Sequence, residues 1–272
     1  MAFASIKQKI NVKYFMVAYL GLLFTGAAIY LGGIWRLLAG LAVVFLYVLF
    51  DLVWTYLRDK TWYLPVSSVI SGFILANVAI PDPPWQLILI FPFLAVAGKQ
   101  LLHFGKMRHV FNPAGFSMLV VGFFAPAVAW WSMSWGLVPL IIVTLAGIFI
   151  LWRLERWHVA LPFWGIYLAG FSIFYFFTGG QLAGFLQFLI PKIQDPTTIF
   201  FSTVMLIEPM TSMFPQKNQR VFYGSLVGFL AIVLPVFLFP LSPVFQNMDP
   251  FILAMLSGNL ICSLLFLPNL KK

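Results

Sequence analysis

Between residues 99 and 113 the chain gathers Lys99, Lys106, Arg108 and His109 ahead of the pair Asn112-Pro113, and a long apolar run follows. Asn before a helix accepts from the free N–H groups of the first turn, and Pro suits the first helical position, where its missing N–H leaves nothing unsatisfied. The pair therefore predicts a helix start. Such a start offers unpaired N–H donors and the positive end of the backbone dipole. With basic side chains beside it, it would hold an anionic or electron-rich group, such as a phosphate or a ring carbonyl. The plainer reading is a capped helix whose basic residues only orient the chain in a membrane. Both readings stand at this level.

Other polar residues invite the same question. Glu208 closes an apolar run in LIEPMTS (206–212). An acid at such a depth is costly unless paired, so it marks either a site or an interfacial ion pair with Lys217 or Arg220. Ser71, Gly72 and Asn77 lie in a segment that ends in IPDPPW (80–85). They would line the gap of a broken helix or make interhelical hydrogen bonds. Asp51, about two turns before Arg58, is explained by pairing or snorkelling. His103 and His109 have no Cys or carboxylate cluster near them, and Cys262 is the lone cysteine, so no metal site is expected. No P-loop, nucleophile elbow, HExxH or dinucleotide fingerprint is present. Any redox chemistry would belong to a bound cofactor.

The elements that must position these residues follow from composition. Of 272 residues, 62% are hydrophobic and only 8% charged, against about a quarter charged in soluble domains. The solvent must be lipid, and at roughly 20 residues per crossing there is room for about ten. The net charge of +9 comes from bases in short gaps between apolar runs. That is the positive-inside pattern and not a nucleic-acid-binding patch. Lys7, Lys9 and Lys13 precede an apolar run without a clear cleavage site, which reads as a retained first helix.

Apolar segments fall at about 14–32, 34–56, 63–80, 86–98, 112–132, 135–152, 158–178, 180–191, 196–208, 219–240 and 249–267. All are predicted helical, because lipid leaves no partner for an open strand edge, and the alternation of a membrane barrel is missing. With the N-terminus cytoplasmic and 180–191 re-entrant, ten crossings put Arg58, Lys60, Lys99, Lys106, Arg108, Arg153, Arg156, Lys217, Arg220, Lys271 and Lys272 on the cytoplasmic side of a bacterial-type inner membrane. SGFILANVAIPDPP (71–84) lines up with AGFLQFLIPKIQDP (183–196), and HVFNPAGF (109–116) with RVFYGSLV (220–227). The expected fold is therefore an all-α integral membrane protein, a single polytopic domain over 1–272. It has about ten transmembrane helices in two related halves, about 14–132 and 135–267, with short re-entrant or broken helices.

A Lys, a polar Gly-containing loop and FNPA (111–114) opening a membrane helix resemble the NqrB/RnfD family. Its members are the membrane subunits of the sodium-pumping NADH:quinone oxidoreductase and of the Rnf ferredoxin:NAD complex. IEPMTSMFPQKNQRVFYGSLVGFL (207–230), which contains Thr211, resembles a second family stretch, with Glu208 where the family usually has Asp. SGFILANVAIPDPPW (71–85) and LAGIFILWRLERWHVALPFWG (145–165) resemble two more, in the family's order. The resemblance implies a scaffold like that of urea channels. It also implies a subunit of a redox-driven electron-transport system, with Ser71, Gly72, Asn77, Lys99, Lys106, Arg108, Asn112, Pro113, Glu208 and Thr211 as candidate cofactor-binding residues. Family members with covalent FMN attach it to the Thr of an S-G-A-T motif. The corresponding stretch here, APAVAWWSMSWGLV (125–138), has no Thr. The expected cofactor is thus a noncovalent flavin (FMN or riboflavin) or a quinone. The expected partners are lipid, a cytoplasmic flavin reductase or ferredoxin-type protein, and other membrane subunits. The alternative is a transporter or channel for a small polar solute on the same scaffold.

Overall fold

The computed structural model describes residues 11–62, 65–104, 108–212 and 214–266, with Phe104 and Arg108 described as backbone only. Lys7, Lys9, Lys106, Lys271, Lys272 and the side chain of Arg108, all invoked above, lie outside the described residues.

Among the described residues the regular structure is helical apart from one hairpin of two-residue strands, His103–Phe104 (β1) with Arg108–His109 (β2). Among the described residues five helices of 18 to 26 residues are long and apolar enough to cross a membrane: α1 (Val12–Tyr30), α2 (Ile34–Asp59), α6 (Leu137–Leu154), α7 (Trp157–Phe177) and α11 (Lys217–Leu238). Five apolar helices are shorter: α3 (Val66–Val78), α4 (Trp85–Leu101), α5 (Pro113–Gly122), α8 (Leu182–Ile193) and α13 (Pro250–Phe266). Three further short helices are α9 (Pro196–Phe200), α10 (Pro209–Ser212) and α12 (Pro243–Gln246). Large apolar side chains face outward, among them Leu22 at 70%, Phe45 at 65% and Phe177 at 90% exposure. Water would penalise that surface and lipid does not, so the protein is membrane-embedded.

Helix ends follow local chemistry. Asn11 opens α1 by accepting from the Lys13 N–H at 3.0 Å, and Asp195 opens α9 by accepting from the Thr197 and Thr198 N–H groups, both at 3.1 Å. Arg58, Lys99 and Arg153 stand in the last turns of α2, α4 and α6, where the backbone dipole favours a cation. Lys13 begins α1 and Lys217 begins α11. These termini define a basic end of the molecule.

Two expectations need correction. The helix expected over 112–132 stops at Gly122. Pro126 has no N–H and disfavours helical geometry at Ala125. The chain then runs extended against the end of α3: Ile80 N–H donates to the Ala127 carbonyl at 3.2 Å, and Ala129 and Trp130 N–H both donate to the Val78 carbonyl, at 2.9 and 3.0 Å. The apolar stretch 123–130 is thus a loop, with Ala127 and Trp130 buried and Phe123 and Phe124 exposed, that pairs part of its backbone with the end of α3. The second correction concerns 180–191, expected to be re-entrant. Its helix, α8, buries no residue and packs on α7 through Phe185 and Phe188 against Phe171, Tyr175 and Phe176. With no residue buried, it lies at the periphery of the described helices and not between them.

The broken helix of the second part is instead α9, which continues into a five-residue π turn, Phe201–Met205, all of it buried. The widened turn is closed by Leu206 N–H donating to the Phe201 carbonyl at 2.9 Å. In the first part α2 packs on α3 and α4, α4 on α5 and α1 on α3; in the second, α7 packs on α11, α11 on α13 and α6 on α9. The α7–α11 contact is close. A Cβ on Gly224 would strike the Val159 carbonyl oxygen, and one on Gly228 would come within 2.7 Å of the Phe163 carbonyl oxygen. The sequence has Gly-x-x-x-Gly patterns at 180–184 and 224–228, and the second serves packing. Gly180 and Gly184 meet only the ring and hydroxyl of Tyr175.

Candidate functional site

A cavity of about 730 Å³ opens at the basic end. The start of α1 with its cap Asn11, one face of α3 (Ser67, Ile70, Ser71, Ile74), Lys99, His109, Pro113, the end of α6, and Val204 with Ile207 to Met210 form its wall. It therefore lies where the two broken helices, α3 and α9 with its π turn, face each other. One turn further in, Tyr19, Leu20, Val78, Phe200 and Phe201 are all buried, and Phe200 packs against Tyr19 and Trp130. These buried side chains lie one turn beyond the cavity wall.

Lys99 is the fixed cation of the wall. Its Nζ lies 2.8 Å from Asp51 Oδ2 and donates to Ser68 Oγ at 2.9 Å. Asp51 is fully buried, and it also accepts from Ser68 Oγ at 2.5 Å and from Gln100 Nε2 at 2.7 Å. Gln100 in turn accepts from Arg58 Nη1 at 2.8 Å. The carboxylate and its three donors come from α2, α3 and α4, so the cage welds those helices at the basic end. Asp51 stands eight residues before the end of α2, about 12 Å in at 1.5 Å per residue. A side chain that short does not snorkel so far, and the pairing with Arg58 expected above is replaced by the pairing with Lys99. An ammonium has three N–H donors. Two are spent inside the cage and one is left for whatever the cavity holds.

Glu208 also lines the cavity, half-buried, in the link between the π turn and α10. Its Oε2 accepts from Asn112 Nδ2 at 2.9 Å and from Thr211 Oγ1 at 3.4 Å, the second at the limit of a hydrogen bond. The ion pair with Arg220 considered above is not made: Arg220 Nε donates to the Phe214 carbonyl at 2.7 Å. Burial pushes the Glu208 carboxyl up to about 7, against the opposing pull of Lys99, Thr211 and Asn112. His109 is pushed the other way, down to about 4, first by burial and then by the charge of Lys99, with the Lys99 backbone carbonyl working against both. At neutral pH its imidazole is uncharged.

Asn112 does what its sequence context asks, and more. Its Oδ1 accepts from the Gly115 N–H at 2.9 Å, capping α5, while its Nδ2 reaches Glu208, 96 residues away. The side chain is 2% exposed, so it serves as a strut between the two parts and does not itself contact a ligand. Pro113, the first residue of α5, does line the cavity.

Of the candidate residues, Ser71, Lys99, Pro113 and Glu208 come together on the cavity wall, with Asn112 and Thr211 behind Glu208. Gly72 does not join them; a Cβ there would meet the Val44 Cα at 3.1 Å, so it permits close packing of α3 on α2. Asn77 sits at the far end of α3, fully buried, donating to the Leu20 carbonyl at 3.2 Å and the Phe73 carbonyl at 2.7 Å. Sequence reading missed the cage residues Ser68 and Gln100 and gave Asp51 the wrong partner. A lone acid deep in a 26-residue apolar helix was the available signal, since it must find a partner. No protein-family model matches the chain, and no curated protein matches it.

Proposed function

We propose that this protein is a membrane subunit of a redox-driven electron-transport system, and that the cavity holds a noncovalent flavin or a quinone. The observation that carries the reading is a cavity of about 730 Å³ at the basic end, with mostly apolar walls that include a tethered cation, Lys99, and the carboxyl group of Glu208. Its size and lining suit a flat, cofactor-sized ring system. The buried aromatic side chains one turn beyond its wall, Tyr19, Phe200 and Phe201, favour a held cofactor over a solute in transit. The resemblance to the NqrB/RnfD family points the same way. In this reading ten crossings form two related halves, the first built on α1 to α5 and the second on α6 to α13. The N-terminus and the basic end are cytoplasmic, in a bacterial-type inner membrane. The electron donor is a cytoplasmic flavin reductase or ferredoxin-type protein, other membrane subunits complete the assembly, and covalent FMN is absent.

The test is titration of the purified protein with riboflavin, FMN and a short-chain quinone, followed by flavin fluorescence or quinone absorbance. Ser71→Trp, which fills the cavity from α3, should abolish saturable binding of whichever ligand binds. No binding to the wild type, together with flux of a small polar solute such as urea into liposomes carrying the protein, would replace this reading by the channel.

A further inference from the structure

We propose that Glu208 is the proton-exchanging group of the cavity: it hands a proton to the ligand as the ligand is reduced and recovers it from water at the basic end. The inference rests on the cofactor reading above.

Four observations lead to it. Among the described residues no cation lies within 4.0 Å of the Glu208 carboxyl. It is fastened by neutral donors only, and both reach Oε2. Oε1 has no bond among the described residues, and the residue lines the cavity. A carboxyl group placed in this way is not part of a structural ion pair.

Its anchor, second, is indifferent to its charge. Asn112 Oδ1 is committed to the Gly115 N–H, so the amide can present only its NH₂ to Glu208. An NH₂ donor serves a carboxylate and the carbonyl oxygen of a carboxylic acid alike. Glu208 can therefore gain and lose a proton without releasing α5.

Third, among the described residues the cation that acts on Glu208, Lys99, acts at a distance. Lys99 pulls on it through space while its direct contact is with Asp51. Its charge eases the transient carboxylate without locking it in an ion pair.

Of the other titratable groups that line the cavity, His109 does not compete for the proton near neutrality. His109 is uncharged there. Lys13 and Arg153 stand on the cavity wall at the starts and ends of α1 and α6. Tyr47 of α2 and Tyr223 of α11 flank the carboxyl as buried phenols. The upward displacement of the Glu208 carboxyl, reported above, fits a group that exchanges protons near neutral pH.

The balance is simple. Two electrons come from the cytoplasmic flavoprotein or ferredoxin-type donor. One O–H or N–H bond forms on the ligand as the Glu208 O–H bond breaks, and the second proton comes from bulk water. The carboxylate then takes a proton from water at the basic end.

The experiment uses the full chain in detergent, with riboflavin and a short-chain quinone as probes. Infrared difference spectra across pH should show a carboxylic acid carbonyl band that titrates near neutrality and is missing in Glu208→Gln, a replacement whose amide oxygen can keep the Asn112 bond. At saturating ligand, chemical reduction in a weakly buffered medium with a pH indicator should show ligand protonation about a hundredfold slower in Glu208→Gln, without the neutral step in its pH profile. The wild-type infrared titration is decisive even if the variant does not fold. A band titrating in the ordinary carboxylate range of about 4.3, or one that follows sodium concentration and not pH, overturns the inference. So does an unchanged protonation rate in Glu208→Gln, which would leave Glu208 as a mere acceptor for Asn112. If neither probe binds the wild type, the cofactor reading falls and this inference with it; if a probe binds and protonation is unaffected, only the inference falls.

Discussion

Asp51→Ala tests the cage around Lys99 most sharply. The substitution removes an acceptor that takes three donors at 2.5 to 2.8 Å, and it leaves Lys99, whose side chain is 13% exposed, with Ser68 as its sole bonded acceptor. Breaking a buried ion pair from one side costs about 3–5 kcal/mol, because the surviving charge is stranded. That is about two to three and a half decades in the unfolding constant. Removing both charges is a different perturbation. In Asp51→Leu with Lys99→Met no charge is stranded; the remaining cost, about 1–3 kcal/mol, comes from the orphaned Ser68 hydroxyl and Gln100 amide. The two residues should therefore show a coupling of about 2 kcal/mol or more in a double-mutant cycle. The assay is reversible unfolding in mixed micelles, followed by tryptophan fluorescence against denaturing detergent. A loss below about 1 kcal/mol in Asp51→Ala, or a double variant as unstable as the sum of the singles, would refute the reasoning and show the cage to be solvated.

Two further outcomes follow from particular contacts. Gly224→Ala should lower the melting temperature by an amount equivalent to about 1–3 kcal/mol, the cost of overpacking, because its Cβ is aimed at the Val159 carbonyl oxygen; Gly165→Ala, also helical but with nothing within 4 Å, should be neutral or slightly stabilising in the same thermal scan. Because the His109 pKa is lowered in the folded state to about 4 from its ordinary 6.5, its contribution to stability is present above about 6.5 and is lost as pH falls through about 4; His109→Gln should flatten that part of the stability curve measured between pH 7 and 4.

The helices were legible because lipid enforces one rule: an apolar run of sufficient length pairs its own backbone. The runs at 14–32, 34–56, 135–152, 158–178 and 219–240 match α1, α2, α6, α7 and α11 to within a few residues. The same rule misread 123–130, because hydropathy is blind to where a backbone N–H goes, and there it goes to Val78 and Ala127 lies under Ile80. Only Pro126 hinted at the break. Asn112 and Pro113 were legible as a cap because capping is local, spanning three residues. The partnerships that build the cavity are not local. Asp51 meets Lys99 across 48 residues and Asn112 meets Glu208 across 96. A single sequence records the types of such residues and not their distances. It could say that Asp51 and Glu208 needed explaining, and for each the partners it offered were the wrong ones.

The π turn at 201–205 has a consequence for how such a protein can change. A π turn holds one residue more than an α turn, so it is in effect a single-residue insertion absorbed inside a helix. Each residue of an α-helix rotates the chain by about 100°. Excising one residue from 201–205 would let the segment relax into a regular helix. Everything after it, Ile207 and Glu208 first, would turn by that angle, and the carboxyl would leave Asn112 and the cavity. Two chains that differ by one residue here could thus keep every helix and every crossing while only one of them keeps the site. The phase of the backbone at Glu208, more than the identity of the residue, is then the quantity selection would have to guard.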